Sequence, residues 1–379
     1  MLPLDRPFTG REEVDSVAEV LGSHWLTQGP KLEAFERAFA AYTGAAHAVA
    51  LGNCTVALQL TLTASGIGHG AEVICPSLTY IATCNAIFHA GAVPVFADVD
   101  PERWTLDPAD VERRITPDTR AVMVVHQMGM PADVDALRTL CTQKHLLLIE
   151  DAACAAGSLY RGRPIGGGGN PACFSFHPRK VITAGEGGMV TTDDAGLATQ
   201  LRLLRHHGMS VSDRVRFEVD AAVFDEHVIR GFNARMSDVH AAIGCVQMER
   251  LETILTERRP IAALYHSAFS HCRGILPQYE PQDCASNYQS YAFLTTKACP
   301  LSRDELVRKL RDAGIGARRG ILTAHREPAY ADVRRVSLPV SEDVSDRMVL
   351  LPLFVGMTEK DIALVIDTVL SLAGATVAV

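Results

Sequence analysis

Leu146-Leu-Leu-Ile-Glu-Asp151 is an uninterrupted apolar run that ends at once in two carboxylates. A run this short, apolar without alternation, reads as a strand buried on both faces, and the carboxylates then mark its carboxyl end. Runs of the same kind recur at Ala48-Val-Ala-Leu51, Glu72-Val-Ile-Cys75, Val93-Pro-Val-Phe96, Ala121-Val-Met-Val-Val125 and Ala172-Cys-Phe-Ser-Phe176. The segments between them are helical in pattern: Val134, Leu137, Leu140 and Cys141 share one face after Asp133, a suitable N-cap. Strand and helix in alternation predict an α/β fold with a large, mostly parallel sheet covered by helices on both sides.

The remainder of the chain departs from that alternation. Ser237 is placed to cap a long helix whose face runs through Val239, Ile243, Val246 and Leu251 and is expected to stop at Pro260. A strand at 291–296 and helices at 302–313 and 359–372 follow, as a smaller α+β unit. The expected division is 1–250 for the large domain, with an N-terminal segment, and 251–379 for the small C-terminal domain.

Composition narrows the function. With 379 residues, 47% of them apolar, the chain can bury a core large enough for two subdomains. A formal charge of −8 and a pI near 6.0 argue against nucleic acid as a partner, because that affinity rests on clustered Lys and Arg. The 10 cysteines lack Cys-x-x-Cys spacing, so reduced thiols are expected rather than a metal site or a disulfide framework. No apolar run reaches membrane length, and the opening residues do not read as a secretory signal, which makes the expected location cytoplasmic.

In an open α/β sheet, ligands gather where strands end and helices begin. At Gly52-Asn53-Cys54-Thr55, free backbone N–H groups at a helix start suit a phosphate, with the hydroxyls of Thr55 and Ser175 as further donors; Thr55 can equally be a helix cap. Asp151 stands where a ring nitrogen could approach, and an ionised Asp there favours a protonated, electron-withdrawing ring; a turn role is the simpler alternative. Tyr80, in Pro76-Ser-Leu-Thr-Tyr80, could stack on a flat ring or pack in the core. Lys180 closes Ser175-Phe-His-Pro-Arg-Lys180 and is followed by Gly185-Glu-Gly-Gly188. An amine in apolar, glycine-rich surroundings can lose its charge and attack a carbonyl.

Taken in order with Gly231-Phe-Asn-Ala-Arg-Met-Ser-Asp238, Trp25-Leu-Thr-Gln-Gly-Pro30 and His325-Arg-Glu-Pro-Ala-Tyr330, these blocks resemble the DegT-like sugar aminotransferases over nearly the whole chain. The resemblance implies a fold-type-I transferase dependent on pyridoxal 5'-phosphate, with pyridoxamine phosphate as the intermediate form. It makes Lys180 the lysine that binds the cofactor aldehyde and moves the proton, and Asp151 the partner of the ring nitrogen. Cys54 (through its amide), Thr55 and Ser175 are implied to hold the phosphate, and Tyr80 to cover the ring. Cys154 falls at a cofactor-contacting position where Gln or His is commoner in the family. Asn233 is implied to reach the phosphate of a neighbouring subunit in a homodimer, and His325 and Arg235 to line the substrate region. Ala234 stands where the family often has Tyr.

The implied reaction carries an amino group from L-glutamate to the keto group, at C4 by the glycine-rich turn after Lys180, of a nucleotide-linked deoxysugar. A cyclitol ketone with glutamine as donor is an alternative. A related dehydratase would carry His in place of Lys180, and a cofactor-binding regulator would carry a basic DNA-binding segment that the sequence does not display.

Overall fold

The structure is a computed structural model and describes residues 1–211, 226–333 and 336–374. Strands β1 (His47–Leu51), β2 (Glu72–Pro76), β3 (Val93–Ala97), β4 (Thr119–Val125), β5 (Leu147–Asp151), β6 (Ala172–Ser175) and β7 (Gly188–Thr192) form a seven-stranded sheet. Its order is β1-β7-β6-β5-β4-β2-β3. Pairing is parallel from β3 through β6, and β7 runs antiparallel to both β6 and β1. The sheet is therefore mostly parallel, as the apolar runs predict. Strand β7, absent from the sequence reading, is wholly buried although it opens on glycine and carries two threonines. Pro94 lies in β3 at the sheet edge, where a missing N–H costs no ladder bond on the open side.

Helices α1 (Arg11–Ser23), α2 (Pro30–Thr43), α3 (Cys54–Ala64), α4 (Ala82–His89), α5 (Pro108–Arg114), α6 (Val134–Gln143) and α7 (Ala195–Arg205) fill the first part of the chain. Asp133 caps α6 by accepting from the Ala136 N–H, as expected. Helix α2 fixes the position of β6: Phe39 meets Phe174 edge-on at 4.8 Å between ring centroids, and Phe35 meets Phe176 at 4.9 Å. Each buried Phe contributes about 1.5–3 kcal/mol. Because strand side chains alternate, anchoring Phe174 and Phe176 on this face turns the intervening Ser175 to the other.

Helix α8 (Asp238–Phe269) is capped by Ser237, whose hydroxyl accepts from the His240 N–H. It passes Pro260 without stopping. Beyond Pro260, the helix buries Ile261, Ala262, Tyr265 and Phe269 in a second core, and that burial outweighs the roughly 3 kcal/mol cost of an interior proline. This core lies against a second sheet of β8 (Ile275–Pro277), β9 (Tyr291–Thr295), β10 (Arg318–Arg319) and β11 (Met348–Leu351), in the order β8-β9-β11-β10. Helices α9 (Arg303–Asp312), α10 (Pro339–Arg347) and α11 (Glu359–Leu372) complete this part. Among the described residues, no helix is long and apolar enough to cross a membrane.

Candidate active site

The parallel strands bring Ser77, His126 and Asp151 to one edge of the sheet, and the loop from Phe176 to Gly187 lies beside them. That loop is closed by backbone bonds, Phe176 N–H to Gly187 O at 2.9 Å and Ala184 N–H to Phe176 O at 2.9 Å, and Gly185 takes a left-handed φ of 81°. Lys180 begins inside it, half-buried, and Nζ donates to Cys154 Sγ at 3.1 Å. Burial pulls the Lys180 pKa down, but the neighbouring Cys154, Cys54 and Asp151 together move it above its ordinary value. Apolar surroundings alone would have lowered it, so charge contacts win at this site.

Asp151 is buried at the end of β5. Its Oδ1 accepts from the Ala153 N–H at 3.1 Å, a turn bond, and its Oδ2 accepts from the Thr83 hydroxyl at 2.7 Å. The turn role is thus carried by Oδ1 alone, and Oδ2 is bonded to Thr83. Burial raises the Asp151 pKa, against the hydrogen bonds from Thr83 and Ala153 and the charges of Lys180 and His126. Thr83, which carries no signal in the sequence, belongs to α4 and reaches Asp151 only because β2 and β5 lie on either side of β4.

Asn53, not Thr55, caps α3: its side chain accepts from the Val56 N–H at 2.9 Å. This leaves the first-turn N–H groups of Cys54 and Thr55 without an intrahelical acceptor. The Thr55 hydroxyl makes no hydrogen bond among the described residues. The Cys54 thiol turns inward to the Cys173 carbonyl at 3.5 Å, and burial pushes its pKa well up, so that its backbone rather than its sulfur faces the helix end. Register links this helix start to Ser175: Leu51 pairs with Gly188, and Gly188 pairs with Ser175. A Cβ on Gly188 would stand 2.5 Å from the Asn53 carbonyl carbon and 2.7 Å from the Cys54 nitrogen, so only glycine permits this approach.

Tyr80 is 75% exposed, which removes the core-packing alternative. Its loop is held by Gln127, whose side-chain amide donates to Leu78 O at 2.6 Å. Asn233 is exposed, and its side chain makes no hydrogen bond among the described residues; its backbone bridges to His206. Arg235 donates to His206 Nδ1 at 2.9 Å. His325 has both ring nitrogens engaged, with Ser77 Oγ at 2.6 Å and Glu342 Oε1 at 3.2 Å. The structure thus gathers Lys180, Asp151, Cys154 and Cys54 into one cluster and runs Thr55 and Ser175 along its border. Arg235 and His325 are tied to groups outside it.

Two further side chains brace this cluster without a signal in the sequence. His126 pairs with the buried Glu150 at 3.0 Å, and its backbone N–H donates to Asp151 O at 3.1 Å. Asn287, fully buried, donates to the carbonyls of Cys154 and Ala156, each at 2.8 Å. Both act across long sequence separations, which spacing cannot reveal.

Residues 7–370 match the DegT/DnrJ/EryC1/StrS aminotransferase family. Among solved structures, DesV of S. venezuelae, in complex with a ketimine intermediate, is 37% identical, with 96% of this chain and 95% of that chain covered and a TM-score of 0.89. The sugar aminotransferase CalS13 from Micromonospora echinospora is 30% identical over 98% of this chain and all (100%) of that chain, with a TM-score of 0.90. Spr1654 from Streptococcus pneumoniae, in its PMP-form, is 26% identical over 98% of this chain and 99% of that chain, with a TM-score of 0.93. The match over almost all of the chain, with Lys180 and Asp151 in one cluster, establishes that this protein belongs to the DegT/DnrJ/EryC1/StrS aminotransferase family.

Proposed function

We propose that the protein is a pyridoxal-phosphate-dependent aminotransferase that moves an amino group from L-glutamate to the C4 keto group of a nucleotide-linked deoxysugar, giving an amino sugar. The observation that carries this reading is the Lys180–Cys154–Asp151 cluster beside a glycine-lined helix start. An amine, a buried carboxylate and free N–H groups are the three functions that an aldehyde, a ring nitrogen and a phosphate require, so the residues present fit the cofactor.

When bound, pyridoxal phosphate supplies the aldehyde that exchanges the amino group and a ring that withdraws electrons. The chain does the remainder. The Cys54 and Thr55 N–H groups with the Thr55 and Ser175 hydroxyls hold the phosphate; charge-assisted bonds of roughly 1.5–3 kcal/mol each outweigh the roughly 0.3–1 kcal/mol of the helix dipole. Asp151, whose Oδ2 accepts from Thr83, would hold the ring nitrogen, and Tyr80 would cover the ring from its exposed loop. Lys180 Nζ would serve as the base that removes the proton from the donor's α-carbon and as the acid that gives it back, in both halves of the exchange. Cys154 Sγ accepts from Nζ and so restrains the amine.

The exposed Asn233 side chain, which has no hydrogen bond within its own chain among the described residues, supports a homodimer in which it reaches the phosphate of the second subunit. Arg235 and His325 are assigned to the substrate side. For His325 to meet substrate, it exchanges its contact with Ser77 or Glu342.

The test has two stages. Borohydride reduction of the yellow holoprotein should fix the cofactor to Lys180, located by peptide mass spectrometry, and Lys180→Ala should lose both the chromophore and amino transfer; transfer at the wild-type rate overturns the reading. Nucleotide ketosugars and cyclitol ketones are then offered with glutamate or glutamine. Amino sugar formed from a nucleotide 4-ketosugar and glutamate supports the proposed pair, and product from the cyclitol alone overturns it.

A further inference from the structure

Two buried hydroxyls stand behind Asp151 in a line. Thr79 Oγ1 lies 2.8 Å from Thr83 Oγ1, and Thr83 Oγ1 lies 2.7 Å from Asp151 Oδ2; Thr79 is 3% exposed and Thr83 1%. Each hydroxyl carries one proton, and an ionised carboxylate only accepts. Thr83 then donates to Asp151, and its oxygen is left to accept from Thr79, whose hydroxyl lies closer to Thr83 (2.8 Å) than to its other acceptor, the Tyr80 carbonyl (3.3 Å). The direction of the line follows from the charge at its end. Thr79 also directly precedes Tyr80 in the chain, and the Thr83 N–H donates to Tyr80 O at 3.2 Å, so one turn bears the hydroxyl line and the exposed aromatic ring.

The surroundings of Asp151 explain why such a donor is needed. Lys180 and His126 favour its ionised form, whereas Cys54 and Cys173 are buried beside it, and the adjacent Glu150 is bonded to His126 and Asn170. Burial works against the carboxylate charge, and a neutral acid would not hold a protonated ring nitrogen.

We propose that Thr83 is a positioning residue for the ring nitrogen of the cofactor: its hydroxyl, oriented by Thr79, keeps Asp151 Oδ2 ionised and turned toward that nitrogen. This inference rests on the cofactor reading above. One charge-assisted hydrogen bond corresponds to roughly a tenfold effect or more.

The experiment titrates cofactor-free protein with pyridoxal phosphate labelled with 15N in the ring and records both the affinity and the ring-nitrogen resonance. Thr83→Val should weaken binding about tenfold and move the resonance toward the unprotonated position, and Thr83→Ser should restore both. Wild-type affinity and resonance in Thr83→Val overturn the proposal, as does a Thr83→Ser variant impaired as much as Thr83→Val, since that outcome reports packing alone. If Thr83→Val does not fold, Thr83→Cys, a weak donor of similar size, is judged by the same two readouts. A wild-type protein without a protonated ring signal would instead sink the cofactor reading on which the inference rests.

Discussion

Lys180 Nζ donates to Cys154 Sγ at 3.1 Å, so the amine of one loop is held by a thiol that follows a neighbouring strand. Cys154 is the main group raising the Lys180 pKa against burial. In cofactor-free Cys154→Ala, Lys180 should lose its proton at lower pH than in the wild type, because burial then acts with less opposition. The pH dependence of Lys180 labelling by an amine-reactive reagent measures this, and an unchanged midpoint removes Cys154 from the role.

Gly188→Ala should damage the helix start without touching Lys180. The added methyl would stand 2.5 Å from the Asn53 carbonyl, where backbone rather than a flexible side chain must give way. A loss of about 1–3 kcal/mol in stability is expected, with at least a tenfold loss of cofactor affinity. Calorimetry and fluorescence titration read the two effects, and unaltered affinity would separate this glycine from the ligand.

Asp151 gives a pH signature in the cofactor-free protein. Burial raises its folded pKa above the ordinary 3.8, so the folded state binds the proton more tightly than the unfolded one. Its contribution to stability is present below the ordinary value and is lost as pH rises through the folded value. Asp151→Asn should therefore be more stable than the wild type at neutral pH, by roughly 1–2 °C in Tm for each 1 kcal/mol, with the gain vanishing in acid. Equal melting temperatures at neutral pH would contradict the burial argument.

Subunit mixing tests the shared site. Lys180→Ala and Asn233→Ala should each be impaired alone, but unfolding and refolding them together should form hybrid dimers, each with one site whose Lys180 and Asn233 are both intact. Activity should recover to about one quarter of wild type, since random pairing makes half the dimers hybrid and each has one working site. No recovery beyond the sum of the two variants counts against Asn233 acting across subunits.

The candidate site was legible where it is local in sequence. Lys180 after a strand, Asp151 at a strand end and the Asn53-Cys54-Thr55 helix start all stand at junctions that short apolar runs announce. Residues that act on them from elsewhere were not. Thr83 looks like any helical threonine until β2 and β5 are set on either side of β4, and Asn287 supports Cys154 from far along the chain. His325 stood out in the sequence, yet its ring nitrogens are engaged by Ser77 and Glu342.

The α/β class and most strands of the large sheet follow from the sequence, because alternation of apolar runs and helical faces is a local property. Tertiary structure decided what periodicity cannot express. Strand β7 joins β1 to the parallel strands with Gly188 pressed against Asn53, and α8 continues past Pro260 because a second core covers its far half. The protonation balance at Lys180 and Asp151 was likewise settled by packing, since burial and neighbouring charge depend on which distant side chains the fold places beside them.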